Sequence, residues 1–311
     1  MNYFELELEN DRLLNGIDLV KFCLEHQGQN IVIKVNNEAH CLTHCGVYDI
    51  LDLFEFAQVS IITANALEAH PKYNINNQTW HVWLDNIHNF DYTYDYAWDE
   101  QRVFGCFYGR PSAQRLGIAG YLAANYSDRS LIQTKFDFST VDQRKLFGIQ
   151  ELFAWHPEAV ELISLLRQPQ YCSDSVYVKG QYSQQNTLSH KYKSILVDLV
   201  AEPVCHGTTF YPTEKIARAI LCRRPFIVMA SRDYLVYLRQ LGFHTFNEFW
   251  DEVYDGFDGQ KRYHMILELI DNLAAKPHSE IVDMYYAMTY QLEHNYQLIT
   301  SNAYNKTITQ I

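Results

Sequence analysis

Apolar residues along this chain recur at two spacings, every three to four positions and in short continuous runs. The first spacing predicts helices over Ile17–Glu25 and Val47–Phe56. The runs predict buried strands at Asn30–Val35, Val59–Thr63, Trp80–Leu84 and Val103–Tyr108. Gly109-Arg-Pro-Ser-Ala-Gln-Arg-Leu then opens a helix to about Asn125, and Ser130–Thr134 closes this series as a strand. Two helices are expected from Thr140 to Arg167, broken at His156-Pro157. Gln168–Ser189 is polar and tyrosine-rich and reads as a connector.

A second alternation begins near Tyr192. Ser194–Val200 reads as a strand, although its apolar run also suits a helix end. Glu202–Pro212 is a loop, Thr213–Leu221 a helix and Pro225–Met229 a buried strand. Asp233–Leu241 is a helix that Gly242 ends as its C′ residue. Arg262–Ala275 and Ser279 to about Leu298 are long terminal helices. Alternating strands and helices predict an α/β protein of two Rossmann-like lobes with mostly parallel sheets, followed by C-terminal helices. The divisions expected are an N-terminal lobe over 1–140, a connector over 141–190 and a second lobe with terminal helices over 191–311. In such folds ligands sit beyond the carboxyl ends of strands, where loops lead into helices.

Composition narrows the class. The 311 residues are 48% hydrophobic and 20% charged, as in a folded globular chain. A net charge of −12 argues against broad binding to a nucleic-acid backbone, although a local basic strip is compatible with it. The acidic opening Met1-Asn-Tyr-Phe-Glu-Leu-Glu lacks the pattern of a signal peptide, and no apolar run has the length of a membrane span. Seven scattered cysteines suit free thiols, so a cytoplasmic location is expected.

The chemistry concentrates at Tyr211-Pro-Thr-Glu-Lys-Ile-Ala-Arg-Ala-Ile220. Pro212 suits a helix entry, and Thr213 can cap the free N–H groups there. Glu214 and Lys215 follow in the first turn, where the helix dipole is positive. That combination can hold a diphosphate, with Lys215 adding charge and Glu214 accepting from sugar hydroxyls. It is equally the composition of an ordinary capped helix with a solvated ion pair.

The order strand, polar loop, Thr-Glu-Lys helix, short strand and next helix resembles the C-terminal lobe of GT-B glycosyltransferases. The nearest likeness is to the Thr-Glu-Lys segment of fucosyltransferase-type enzymes. It stands here as Glu202-Pro-Val-Cys-His-Gly-Thr-Thr-Phe-Tyr-Pro-Thr-Glu-Lys-Ile-Ala-Arg-Ala-Ile220, then Arg224-Pro-Phe-Ile-Val228. Leu241-Gly-Phe-His-Thr-Phe246 and Phe249-Trp-Asp-Glu-Val-Tyr-Asp255 are similar to uncharacterised phage-encoded proteins. The likeness covers roughly Ser194 to Leu273, and Arg-Pro-Phe-Ile-Val departs from the family's usual Gly-rich approach to a Pro-Val strand.

The resemblance implies a metal-independent glycosyltransferase, with a nucleotide-sugar as substrate, no cofactor and a hydroxyl acceptor. Glu214 would bind the ribose or donor sugar and Lys215 the diphosphate, with Thr208, Thr209 and Thr213 donating to phosphate. Arg218, one turn on, would assist the phosphates or pair with Glu214. Arg110 and Arg115 would face the phosphates from the first lobe, or serve as surface ion pairs. His206 and Asp85 are candidate bases toward the acceptor. Transfer to a modified DNA base, as in phage-type enzymes, is an alternative that the acidic balance disfavours. An inactive nucleotide-binding or interaction module is another.

Two further stretches carry residue types suited to chemistry. His40-Cys-Leu-Thr-His-Cys45 has metal-ligand residue types but no second ligand group nearby in sequence, so it reads as a loop entering the Val47 helix, with no metal site. Asp85–Asp99 alternates acids with aromatics, as in a carbohydrate-binding rim or an aromatic-rich surface loop.

Overall fold

Two four-stranded sheets, each parallel throughout, carry the strands that matter for the site. The computed structural model describes residues 2–9, 11–35, 38–77, 87–136, 143–167 and 188–301. The strand expected at Trp80–Leu84 lies outside these residues, as does most of the connector from 168.

The first sheet has the order β1 (Asn2–Leu6), β4 (Asn30–Val35), β5 (Gln58–Thr63), β6 (Asn74–Asn77). Leu8–Glu9 (β2) and Arg12–Leu13 (β3) form a small antiparallel hairpin with Asp11 at its turn, at φ 56°. Helices α1 (Gly16–Glu25) and α2 (Val47–Leu51) cover the sheet. Leu6, Leu19, Ile31, Ile33, Leu51 and Ile61 form their shared core. Helix α2 stops short of the expected Phe56. There Leu53 and Phe54 donate back three residues in tight turns, and Leu53 stays exposed.

The second sheet has the order β10 (Phe226–Met229), β9 (Ile195–Ala201), β7 (Arg102–Tyr108), β8 (Ser130–Thr134). Helix α3 (Ala113–Asn125) joins β7 to β8, and α4 (Gln143–Trp155) and α5 (Ala159–Leu166) lead back toward β9. Strands β7 and β8, expected in the first lobe with β4 and β5, instead continue the sheet of β9 and β10. Periodicity identifies a buried strand but not its neighbour. The chain passes outward from β7 to β8 and outward again from β9 to β10, so the order reverses between β7 and β9. The carboxyl ends of that central pair are the topological switch point, where α/β sheets offer a crevice.

Helix α6 (Glu214–Leu221) connects β9 to β10, both buried along their whole length. Beyond them come α7 (Tyr234–Gln240), α8 (Gly259–Ala274), α9 (His278–Ala287) and α10 (Thr289–Thr300). The single helix expected from Ser279 divides at buried Met288, where the Thr289 hydroxyl donates to the Tyr286 carbonyl. A buried pair secures this region. Asp255 accepts from the N–H groups of Leu235 and Val236 at the start of α7, and Arg262 donates to it at 2.9 Å. Arg262, wholly buried, also donates to the carbonyls of Val228 and Ser231.

No helix among the described residues is long and apolar enough to cross a membrane.

Candidate functional site

Strand β9 ends at Ala201, and the next residue is Glu202, a carboxylate that the fold buries almost completely. Three donors compensate for the lost water. Thr213 gives its N–H to Oε1 at 3.1 Å and its hydroxyl to Oε2 at 2.5 Å, and the Tyr234 hydroxyl reaches Oε1 at 2.8 Å. Burial still raises the Glu202 carboxyl above the usual range, with Lys215 and the Thr213 bonds opposing it.

Thr213 therefore does two jobs. Extended at φ −96° and ψ −174°, it is the N-cap of α6, accepting from the Lys215 N–H at 3.3 Å. The same oxygen accepts from Lys215 Nζ at 3.2 Å, so its one proton and two lone pairs are all used. Lys215 Nζ also donates to Glu214 Oε1 at 2.8 Å and lies 3.9 Å from Glu202. Burial works against the charged form of Glu214, but Lys215 and Arg218 overcome it and hold the carboxyl down at about 2. The result is an ammonium between carboxylates at the first turn of a helix, on the carboxyl side of a parallel strand.

The loop between Glu202 and Thr213 is clipped to the first sheet. Asn65, just beyond β5, donates to the Thr208 carbonyl at 3.0 Å and accepts from the Phe210 N–H at 3.0 Å. The Ala66 N–H returns a bond to the Phe210 carbonyl. Thr209, also buried, pairs its hydroxyl with that of Ser231 at 2.6 Å. The carboxyl ends of both sheets thus meet along one seam. A small cavity there is lined by Ala39, Glu202, Val204, Thr209, Tyr211 and Ser231, and its free volume of about 10 Å³ is room for about one water.

The other sequence candidates are dispersed. Arg115 is buried and donates through Nε and Nη2 to the Ala201 carbonyl at 3.3 and 3.0 Å, filling the switch point between β7 and β9. Arg218 donates to the Tyr192 hydroxyl at 2.9 Å, which in turn donates to Asp198 at 2.5 Å, and its charge also acts on Glu214. Neither guanidinium faces the Lys215 ammonium. Arg110 is exposed beside Glu38, at 3.2 Å. His206 pairs through Nε2 with Glu151 at 2.6 Å and stacks on His44 with ring centres 5.3 Å apart. Burial lowers the affinity of this imidazole for its proton, and the Glu151 bond with Asp11 and Asp258 more than restores it, leaving it raised. Among the described residues no hydrogen bond or ion pair joins His206 to Thr213, Glu214 or Lys215. Asp85 lies outside the described residues.

Sequence reasoning missed Glu202 and Asn65. Each looks like an ordinary polar loop residue, and the available signal was position alone, immediately after a buried strand. No protein-family model matches the chain, and it matches none of the curated proteins.

Proposed function

We propose that the protein is a GT-B-like glycosyltransferase, of two lobes, that takes a sugar from a nucleotide-diphosphate donor to a hydroxyl acceptor without a metal in the transfer step. The observation that carries this reading is the Thr213–Lys215 helix start, held by Glu202 just beyond the carboxyl end of a parallel strand, β9. Transfer builds positive character on the sugar and negative charge on the departing diphosphate. A fixed ammonium and the positive end of a helix dipole stabilise that charge. Glu214, ionised by its neighbours, is an acceptor for ribose or sugar hydroxyls.

The cavity beside this site is far smaller than a nucleotide-sugar, so entry requires the Ala39 and Tyr211 walls to part. The Lys215 ammonium must also exchange its bonds to Thr213 and Glu214 for phosphate oxygens. Those existing bonds favour a second reading, a binding module in which the ammonium stays an internal tie. Arg115 and Arg218 are assigned supporting roles in the fold, and the donor side rests on Thr213, Glu214 and Lys215.

Thermal-shift screening with UDP-, GDP- and ADP-linked sugars distinguishes these readings. A site holding its donor at a hundred times the dissociation constant gains about 2.7 kcal/mol. The expected result is a melting-point rise with one donor that Lys215→Ala abolishes. Slow donor hydrolysis by the wild type, absent in Glu214→Ala, assigns an enzyme over a binding module. No rise with any donor sinks the transferase reading and leaves Lys215 as an internal tie.

A further inference from the structure

The segment His40–Cys45 carried metal-ligand residue types without a second group, and the fold supplies one. The loop after β9 brings Cys205 and His206 against it, with Gly207 so near that a Cβ there would meet Cys41 Cβ at 2.7 Å. Asp11, from the β2–β3 turn, completes the arrangement. One carboxylate oxygen of Asp11, the Cys205 Sγ and one ring nitrogen of His206 all lie within 4.8 Å of one another. Asp11 and Cys205 are buried, and His206 is the edge that reaches solvent.

The geometry points to a three-ligand site for a zinc-class divalent cation formed by Asp11, Cys205 and His206. Sulfur, imidazole nitrogen and carboxylate oxygen are the donor types that zinc takes, and three protein ligands leave a fourth position for water. Bonds of about 2.0–2.3 Å in tetrahedral array separate ligand atoms by roughly 3.5 Å, so the present spacing closes on an ion through small side-chain rotations.

The surroundings are those of a supported site. Wholly buried His40 holds Asp11 Oδ1 through Nδ1 at 3.2 Å, while the Cys205 N–H donates to Asp11 Oδ2 at 3.3 Å. Glu151 holds His206 Nε2, the outer carboxylate that orients metal-bound imidazoles. That leaves Nδ1 to coordinate. Asp258 accepts from the Gly207 N–H and fixes the loop behind the ligands. Three carboxylates, Asp11, Glu151 and Asp258, thus converge from three elements. The nearby Arg115 guanidinium is already committed to the Ala201 carbonyl. His40 Nε2 makes no hydrogen bond among the described residues and lies 3.8 Å from Glu38 Oε2.

Coordination forms one O–metal, one S–metal and one N–metal bond and breaks the Cys205 S–H bond and, where the imidazole is charged, the His206 Nδ1–H bond, the protons leaving to solvent; no electron is transferred. The ion would tie the turn of the β2–β3 hairpin to the loop that leads to Thr208, Thr209 and Thr213. This assignment stands apart from the transferase reading, because it concerns binding and not turnover.

Cobalt titration of the full-length protein, stripped with chelator and kept reduced with a phosphine, tests it. One Co²⁺ per chain is expected, with a sulfur-to-cobalt charge-transfer band and the strong visible bands of a tetrahedral ion, both displaced by Zn²⁺. Cys205→Ser should remove the charge-transfer band, whereas Cys41→Ser and Cys45→Ser keep it. Asp11→Asn and His206→Gln should each weaken binding at least tenfold. Absence of a band in the folded wild type overturns the site, as does a band that survives Cys205→Ser. If circular dichroism shows Cys205→Ser to be unfolded, His206→Gln decides, and unchanged cobalt affinity there overturns the proposal.

Discussion

Thr213 gives both its N–H and its hydroxyl to the carboxylate of Glu202, so the residue that caps helix α6 is fixed by the residue that follows strand β9. The strand end and the helix start become one rigid corner, and Lys215 is held on it through the same Thr213 oxygen. Removing Glu202 strands the Thr213 and Tyr234 donors in a buried place and frees Lys215 from one of its carboxylates. Glu202→Ala should therefore cost roughly 3–5 kcal/mol in urea unfolding, as breaking a buried charged network does. Glu202→Gln, which keeps the size and one acceptor oxygen, should cost clearly less. Equal losses in the two variants would show that packing, not the hydrogen bonds, is what Glu202 supplies.

Much of this architecture is written in local pattern. Strands β4, β5, β7, β8, β9 and β10 stand where the sequence predicts them; β7, β9 and β10 are buried almost throughout, and a strand buried on both faces needs a near-continuous apolar run. The Thr213 cap is legible for a similar local reason. Strand β1 was not, since only Leu6 of Asn2–Leu6 is buried and the segment reads as an acidic opening without an apolar run. Sheet membership was invisible too. Which strands pair depends on contacts such as Gly105 against Ile195, ninety residues apart in sequence, which no window along the chain contains. The candidate arginines illustrate the same limit. Arg115 and Arg218 sit at sequence positions suited to phosphate, but the fold turns one onto a strand carbonyl and the other onto Tyr192.

Gly259 has a steric reason to be glycine. Its φ is +50°, and a Cβ would lie 2.4 Å from His206 Cε1 and 2.7 Å from Nδ1. Gly259→Ala must therefore displace the imidazole from Glu151 as well as strain the backbone. A loss of about 1–3 kcal/mol is expected from the overpacking. Gly256, three residues earlier, has open space around its Cβ position, and Gly256→Ala should lie within about 0.5 kcal/mol of wild type. Parallel denaturant melts compare the pair, and similar losses in both would remove the His206 contact as the cause.

Arg262 and Asp255 form the second buried junction, between β10, the start of α7 and α8. Deleting the guanidinium leaves a buried carboxylate with only two N–H donors and two strand-end carbonyls without theirs. Arg262→Ala should lose roughly 3–5 kcal/mol. Arg262→Lys should recover little, because one ammonium cannot reproduce a planar fork that serves Val228, Ser231 and Asp255 together. Full recovery by lysine, measured by urea unfolding, would reduce the interaction to charge alone.

Asp198 supplies a pH signature with a defined sign. It lies buried within β9, and that burial pushes its carboxyl up to about 7, against the pull of Arg218 and the Tyr192 bond. The unfolded chain titrates this group near 4, so between about pH 4 and 7 the folded state binds the extra proton. Stability from this residue therefore falls as pH rises through that window and is level above it. Glu214 acts oppositely and lower down. Held at about 2 when folded, it contributes stability above its ordinary value of 4.5 that is lost as pH falls toward 2. Because other carboxylates add slopes of their own, the measurement is the stability difference between wild type and Asp198→Asn, followed from pH 4 to 8 by urea unfolding. The wild type should lose ground steadily to the variant up to about pH 7 and hold a constant difference beyond. A difference that is flat from pH 4, or that grows in favour of the wild type, would mean that Arg218 and Tyr192 keep Asp198 ionised in the folded protein throughout.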